Sequence, residues 1–180
     1  AGGVVEMFAP QAAAKDVDLF DLTEEGTPAC VSGDGARLKQ ALANLVGNAV
    51  KFTDAGRVTL RSSAEDGDLI FTVADTGPGL PTDPEQALFK DFAQTALGRA
   101  RGGAGLGLAL SRRIVETMGG RLTAWNGASG AEFTIRLPAV ASACAARGAR
   151  LDGVRVAIRC EDGPFKTFMA SALRRSGAEI

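Results

Sequence analysis

The chain has 180 residues, 46% of them hydrophobic, a formal net charge of −1 and no histidine. That length suffices for one complete domain and part of a second, and the balanced charge gives no general attraction to nucleic acid or to an anionic membrane. No apolar run approaches the roughly 20 residues that span a bilayer, no signal peptide is present, and Cys30, Cys144 and Cys160 fit neither zinc spacing nor a disulfide framework, which points to a reducing cytoplasm.

Residues 1–15 carry no clear period and read as an ill-defined, extended lead-in. The opening alanine suggests a piece of a longer protein. Residues 16–22 alternate apolar and polar and predict a strand, and residues 28–32 predict a second, short one. Asp34 is placed to cap a helix. From residue 36 to 52, Leu38, Leu42, Leu45, Ala49 and Phe52 recur at spacings of four and three, which gives a helix one buried face. Asp54, Ala55 and Gly56 form a turn. Val58, Leu60, Leu69, Phe71 and Val73 predict a hairpin joined at residues 65–68. A loop runs to about residue 85, and residues 86–94 allow a short helical turn. Residues 95–105, rich in Gly, Ala and Arg, predict a mobile loop. A second helix over 106–118 ends at Gly119 and Gly120, as a C-cap does. Strands over 121–126 and 131–137 follow, and Pro138 closes the unit. The alanine-rich stretch 139–150 reads as a linker. Residues 153–160 then predict a strand, 165–176 a helix, and 177–180 the approach to another strand.

Three groups of residues carry chemistry. Helix residues advance by about 100°, so Asn44, Asn48 and Lys51 share one stripe beside the apolar face. A neutral amide oxygen can complete a magnesium shell otherwise filled by phosphate and water, and a lysine can pair with phosphate. A solvated polar face is the plainer reading of the same stripe. Asp75 ends a strand on a turn holding Gly77 and Gly79. Its carboxylate can accept from the exocyclic amine of adenine, and the glycines let backbone approach the ring. An ordinary β-turn would use the same residues. Gly103, Gly105 and Gly107 precede a helix whose N-terminal amides favour phosphate. The nearby-strand context of a dinucleotide-binding fold is missing, and a flexible loop is the alternative. Arg99 and Arg101 lie within reach of a polyphosphate or simply at the surface.

In order, these residues resemble the boxes of sensor histidine kinases. The run from Arg37 through Asn44, Asn48, Lys51 and Thr53 looks like the N box. Asp75 to Gly79 looks like the G1 box, and Leu88, Phe89, Lys90, Asp91 and Phe92 like the F box. Gly103 to Leu110 looks like the G2 box, with Ala104 where threonine is more usual. Residues 132–138 fit the last strand, and the likeness covers roughly residues 1–138. It implies an α+β, two-layer α/β sandwich of the Bergerat type, with a mixed, mostly antiparallel sheet and helices on one face. It implies ATP and Mg2+ as ligands, held between the N-box helix and a lid over about residues 89–107. Asn48 is then the magnesium ligand, Asn44 and Lys51 serve the phosphates, and Asp75 binds adenine with Gly77 and Gly79. Gly103, Gly105, Leu106, Gly107 and Leu108 form the lid hinge and phosphate contacts, with Arg99 and Arg101 in the lid. Phe89 and Phe92 anchor it, unless they are core.

Related ATPases (DNA gyrase B, MutL, heat-shock chaperones) place a glutamate base one helical turn before the magnesium asparagine. Asn44 stands there instead, and an amide takes no proton at neutral pH. The site should therefore hold ATP for another nucleophile. In this family that nucleophile is a histidine on a separate dimerising helical hairpin, which a chain without histidine must meet in cis or in trans. Residues 151–180 resemble the start of a receiver domain, as in hybrid kinases. The expected partners are thus the histidine hairpin and a response regulator or receiver, within a homodimeric parent, cytoplasmic or anchored at the inner membrane. A nucleotide-binding pseudokinase scaffold and an anti-sigma-type serine kinase are the alternatives.

Overall fold

The computed structural model describes residues 2–28, 30–89, 105–141, 169–170, 173–174 and 177–179. Among these, helix α1 spans Gly2–Ala13, strand β1 Val17–Thr23, β2 Val31–Ser32, helix α2 Gly35–Phe52, β3 Gly56–Glu65, and β4 Asp68–Asp75. Then come helix α3 (Pro84–Leu88), helix α4 (Gly107–Thr117), β5 (Arg121–Asn126), β6 (Ala131–Pro138) and β7 (Val140–Ala141).

Five strands make one sheet in the order β1-β3-β4-β6-β5. Only β1 and β3 run parallel; every other neighbouring pair is antiparallel. The β3–β4 hairpin turns on Asp66 and Gly67, both at positive φ (52° and 82°), the two-residue geometry that matches strand twist. β4 alternates strictly, with Leu69, Phe71, Val73 and Asp75 buried and their neighbours half-buried. Its buried face meets the helices. The other face stays partly open, where Thr72 and Thr134 share a hydrogen bond at 3.2 Å.

Helix α2 is the spine. Asp34 caps it by accepting from the Arg37 amide at 3.0 Å. Its Leu42, Leu45, Val46 and Val50 are almost fully buried, together with Val58, Leu60, Val73 and Ile135 of the sheet and Val115 of α4. α1 packs on one flank of α2 and α4 on the other. At the far end, the Lys15 ammonium donates to the carbonyls of Val50 and Lys51 at 2.8 and 3.0 Å. It thus serves carbonyls that lack partners at a helix C-terminus.

Residues 1–15 correct the sequence reading. The extended lead-in is helix α1, with Val4 and Ala12 buried at 3% and 1% exposure. Pro10 within it and glycines at its start obscure the helical period. Tertiary packing overrides them: Phe8 lies on Gly47 of α2, where a Cβ would come within 2.9 Å of the ring. The second short strand reduces to β2, which pairs antiparallel with β7. Val140 and Ala141, at the start of the stretch read as a linker, are therefore ordered against the body of the domain. Cys30 is disulfide-bonded, against the reading that the cysteines fit no disulfide framework; its partner lies outside the described residues. In the tail, residues 169–170 and 173–174 are helical. Gly177 takes φ +89°, and the Ala178 amide donates to the Leu173 carbonyl at 3.0 Å. Among the described residues no helix is long and apolar enough to cross a membrane.

Candidate functional site

Two glycine motifs converge on α2 from different directions. The turn after β4 meets its C-terminal end, and the start of α4 meets it about two helical turns earlier. Gly77 is the first contact: a Cβ there would sit 3.2 Å from the Phe52 carbonyl oxygen and 3.3 Å from Thr53 Oγ1. Gly107 is the second: a Cβ there would come within 2.3 Å of Asn44 Oδ1. Eight residues separate Asn44 from Phe52, roughly 12 Å of helix at 1.5 Å per residue. A base reader at one end and a phosphate site at the other fit that span.

Asp75 is only 7% exposed. Its Oδ1 accepts from the amides of Gly77 at 2.9 Å and Ala131 at 3.1 Å. Both bonds land on one oxygen, which leaves Oδ2 to read a ligand. Burial pushes its pKa above the usual 3.8, and the two amide bonds pull the other way. Gly79 takes φ +77°. The following backbone is held by Asn126, whose Oδ1 accepts from the Leu80 amide at 2.7 Å and whose Nδ2 donates to the Leu80 carbonyl at 3.1 Å. The side of Gly77 is ringed by three oxygens: Asp75 Oδ1, the Phe52 carbonyl and Thr53 Oγ1. Thr53 is fully buried, and its hydroxyl has no hydrogen-bond partner. A buried hydroxyl without a partner is costly, and this one borders the Asp75 carboxylate.

On α2, Asn44 donates from Nδ2 to Ser111 Oγ of α4 at 2.9 Å. Asn48 lies one turn on along the same face, half-buried. The Lys51 ammonium sits 5.6 Å from the centre of the Phe52 ring. At the start of α4, Gly105 takes φ +72°, Leu106 occupies the N-cap position without a capping side chain and is 42% exposed, and Leu108 is half-buried. The amides of that first turn lack helical partners. Phe89 is buried, and the Arg112 guanidinium stacks 3.6 Å from its ring centre. Arg112 also pairs with Glu85 of α3 and donates to the Leu122 carbonyl at 3.2 Å. Phe92, Arg99, Arg101 and Gly103 lie outside the described residues.

The structure therefore brings Gly107 against Asn44 and Gly77 against the C-terminal end of α2, with Asp75 bonded to Gly77 and Asn48 and Lys51 on that helix between the two contacts, while Gly79 lies against Asn126 of β5. Sequence reasoning placed Thr53 in the N-box run without giving it a role, and missed Ser111, Arg112 and Asn126. Only tertiary contacts reveal them, although Thr53 directly follows the helix that carries the amides. Among the described residues no cluster of three or more His, Cys, Asp or Glu could hold a metal by itself. The donor set is amide oxygens, which suits a magnesium ion that arrives with phosphate and water ligands.

Comparison with known proteins identifies the family. The family model described as "Histidine kinase-, DNA gyrase B-, and HSP90-like ATPase" matches residues 33–141. The sensor protein GacS of Pseudomonas syringae is 44% identical over 123 residues, 64% of this chain and 14% of that protein. The sensor histidine kinase RcsC of Escherichia coli is 33% identical over 178 residues, 96% of this chain and 19% of that protein. The chain thus spans a fifth or less of these relatives. Among solved structures, full-length ShkA in complex with AMPPNP matches with a TM-score of 0.79 at 37% identity, over 99% of this chain and 37% of that one. The catalytic domain of the histidine kinase ThkA matches with a TM-score of 0.66 at 28% identity, over 76% of this chain and 90% of that one. These likenesses give a catalytically inactive scaffold no support.

Proposed function

The chain belongs to the histidine kinase-, DNA gyrase B- and HSP90-like ATPases as the ATP-binding catalytic domain of a sensor histidine kinase, and from that premise we propose how it handles its nucleotide. ATP lies along α2, with adenine at the Asp75 turn and phosphates toward Gly107. Asp75 Oδ2 accepts from the exocyclic amine of adenine, while Gly77 and Gly79 let the base approach. Thr53 offers its buried hydroxyl on the same wall. Lys51, the amides of Gly107 and Leu108, and the hinge at Gly105 and Leu106 serve the phosphates. Asn48 would hold Mg2+, which supplies charge neutralisation at the phosphates. Phe89 anchors the near end of a lid that carries Phe92, Arg99, Arg101 and Gly103.

The observation that carries this reading is the common helix. A buried carboxylate with one oxygen committed to backbone and a glycine-led helix start both abut α2, within one nucleotide's length of each other. Phosphoryl transfer needs chiefly positioning and electrostatic stabilisation. Neither Asn44 nor Asn48 can accept a proton at neutral pH, so the site holds ATP for an external nucleophile. That nucleophile is a histidine on a dimerising helical hairpin outside this chain, in a homodimeric parent located in or facing the cytoplasm. Residues 1–141 form the catalytic domain, since β7 pairs with β2, with a linker following to about residue 150 and a receiver-like segment over 151–180, so a receiver or response regulator takes the phosphoryl group next.

The test is transfer. Radiolabelled ATP, Mg2+ and a supplied hairpin carrying its histidine should yield acid-labile, base-stable label on the hairpin. ATP binding without transfer would refute the kinase assignment, and Asn48→Ala with undiminished Mg-ATP affinity by calorimetry would refute the site.

A further inference from the structure

The β5–β6 hairpin closes on a turn in which the Gly127 amide donates to the Gly130 carbonyl at 2.8 Å. It grips the Asp75–Leu80 segment at both ends. At one end, the Ala131 amide donates to Asp75 Oδ1 at 3.1 Å. Gly130 lies so close that a Cβ there would come within 2.3 Å of the Asp75 carbonyl oxygen. At the other end, Asn126 bonds both backbone groups of Leu80, accepting from the amide at 2.7 Å and donating to the carbonyl at 3.1 Å. The partners settle the orientation of this side-chain amide. A backbone N–H only donates and a carbonyl only accepts, so a turned-over Asn126 would set like against like twice. Gly79 passes beside it at φ +77°, and a Cβ there would lie 2.7 Å from Asn126 Oδ1. Asn126 is itself exposed, so its side chain adds little to the core.

We propose that Asn126 is a positioning residue for base selection: with the Ala131 amide it holds the Asp75–Leu80 segment at both ends, so that Asp75 Oδ2 and the Gly77–Gly79 backbone form a slot of fixed width. The slot selects 6-aminopurine nucleotides over 6-oxopurine ones. A 6-oxo group sets an acceptor against the carboxylate and leaves both unpaired. A fixed slot gives that mismatch no relief, whereas a slack one lets the base shift or admits a bridging water. Asp75 supplies the chemistry of recognition, and Asn126 supplies the rigidity that makes it discriminate. The inference rests on the adenine-reading role proposed above for Asp75, and the experiment separates the two.

Titrate the full 180-residue protein with ADP by calorimetry, and with inosine diphosphate by competition against ADP, both in excess Mg2+. The two nucleotides differ at the six position of the base, so the ratio of their affinities isolates its reading. Asn126→Ala should lower that ratio about fivefold, the size of one net hydrogen bond, with inosine diphosphate affinity within about twofold. Lost support of the fold alone would weaken both nucleotides by the same factor. An unchanged ratio, whether the two affinities fall together or hold, therefore overturns the inference. Asn126→Asp keeps an acceptor for the Leu80 amide but loses the donor to its carbonyl. Its ratio should lie between those of the wild type and Asn126→Ala, and a wild-type ratio there overturns the inference even if Asn126→Ala fails to fold. Asp75→Asn checks the underlying site. It turns a donor toward the base, so the ratio should collapse or invert. A ratio untouched in Asp75→Asn overturns the adenine reading itself; its collapse there, with a wild-type ratio in Asn126→Ala, overturns the role of Asn126 alone.

Discussion

Asp75→Asn separates a ligand-reading carboxylate from a structural one. In the wild type, Oδ1 takes amide bonds from Gly77 and Ala131. Asparagine can keep both only by placing its own oxygen there. A flip is blocked, because it would set an NH2 group against two backbone donors. Nδ2 must then face the ligand, where the adenine amine also donates. The variant loses a hydrogen bond to a charged acceptor, worth about 1.5–3 kcal/mol, which is about 12- to 150-fold in Kd, and the facing donors add to the loss. Folding should move the other way. Burial raises the Asp75 pKa above 3.8, so the charged form is disfavoured in the native state. That penalty applies above the folded pKa and fades as pH falls through it toward the unfolded value. At pH 7 the variant should therefore melt no lower than the wild type, and any advantage should vanish in acid. Calorimetry with AMPPNP, paired with thermal melts across pH, reads both quantities. A loss of affinity under threefold would refute the purine-reading role. A large loss accompanied by a melting point several degrees lower would assign Asp75 to the fold instead.

Thr53→Val removes a buried hydroxyl that lacks a partner. Thermal stability should hold or rise by up to about 1 kcal/mol, while ATP affinity falls severalfold in calorimetry; lowered stability with unchanged affinity would contradict the assignment. Gly107→Ala brings a Cβ to 2.3 Å from Asn44 Oδ1, so the Asn44 side chain must move out of its place between α2 and α4. About 1–3 kcal/mol of overpacking and a weaker Mg-ATP complex should appear together in denaturant melts and binding curves, and a neutral effect on both would refute the contact. Lys15→Met strips two donors from the C-terminus of α2. About 1–2 kcal/mol, or a few degrees in Tm, should be lost, with purine selectivity unchanged; a melting point equal to the wild type would show the cap to be idle.

The site was legible in sequence where chemistry depends on residue type and order. Amides a turn apart on α2, a carboxylate before two glycines and glycines opening a helix are local patterns, and helix α2 with its Asp34 cap follows from periodicity alone. The β3–β4 hairpin was equally plain, because alternation and an Asp-Gly turn agree. Helix α1 was not. Its proline and glycines argue locally against a helix, and only docking of Phe8 on Gly47 and burial of Val4 and Ala12 compensate. The β2–β7 pairing joins segments more than a hundred residues apart, a distance at which no local pattern speaks. The same limit applies within the site. Sequence determined that this chain carries amides a helical turn apart, a carboxylate before two glycines and a glycine-led helix start in that order. Only the tertiary structure decided that Asn44 bonds Ser111, that Asp75 commits one oxygen to backbone, and that Thr53 is sealed beside it, because each depends on a partner supplied by another element packed against the first.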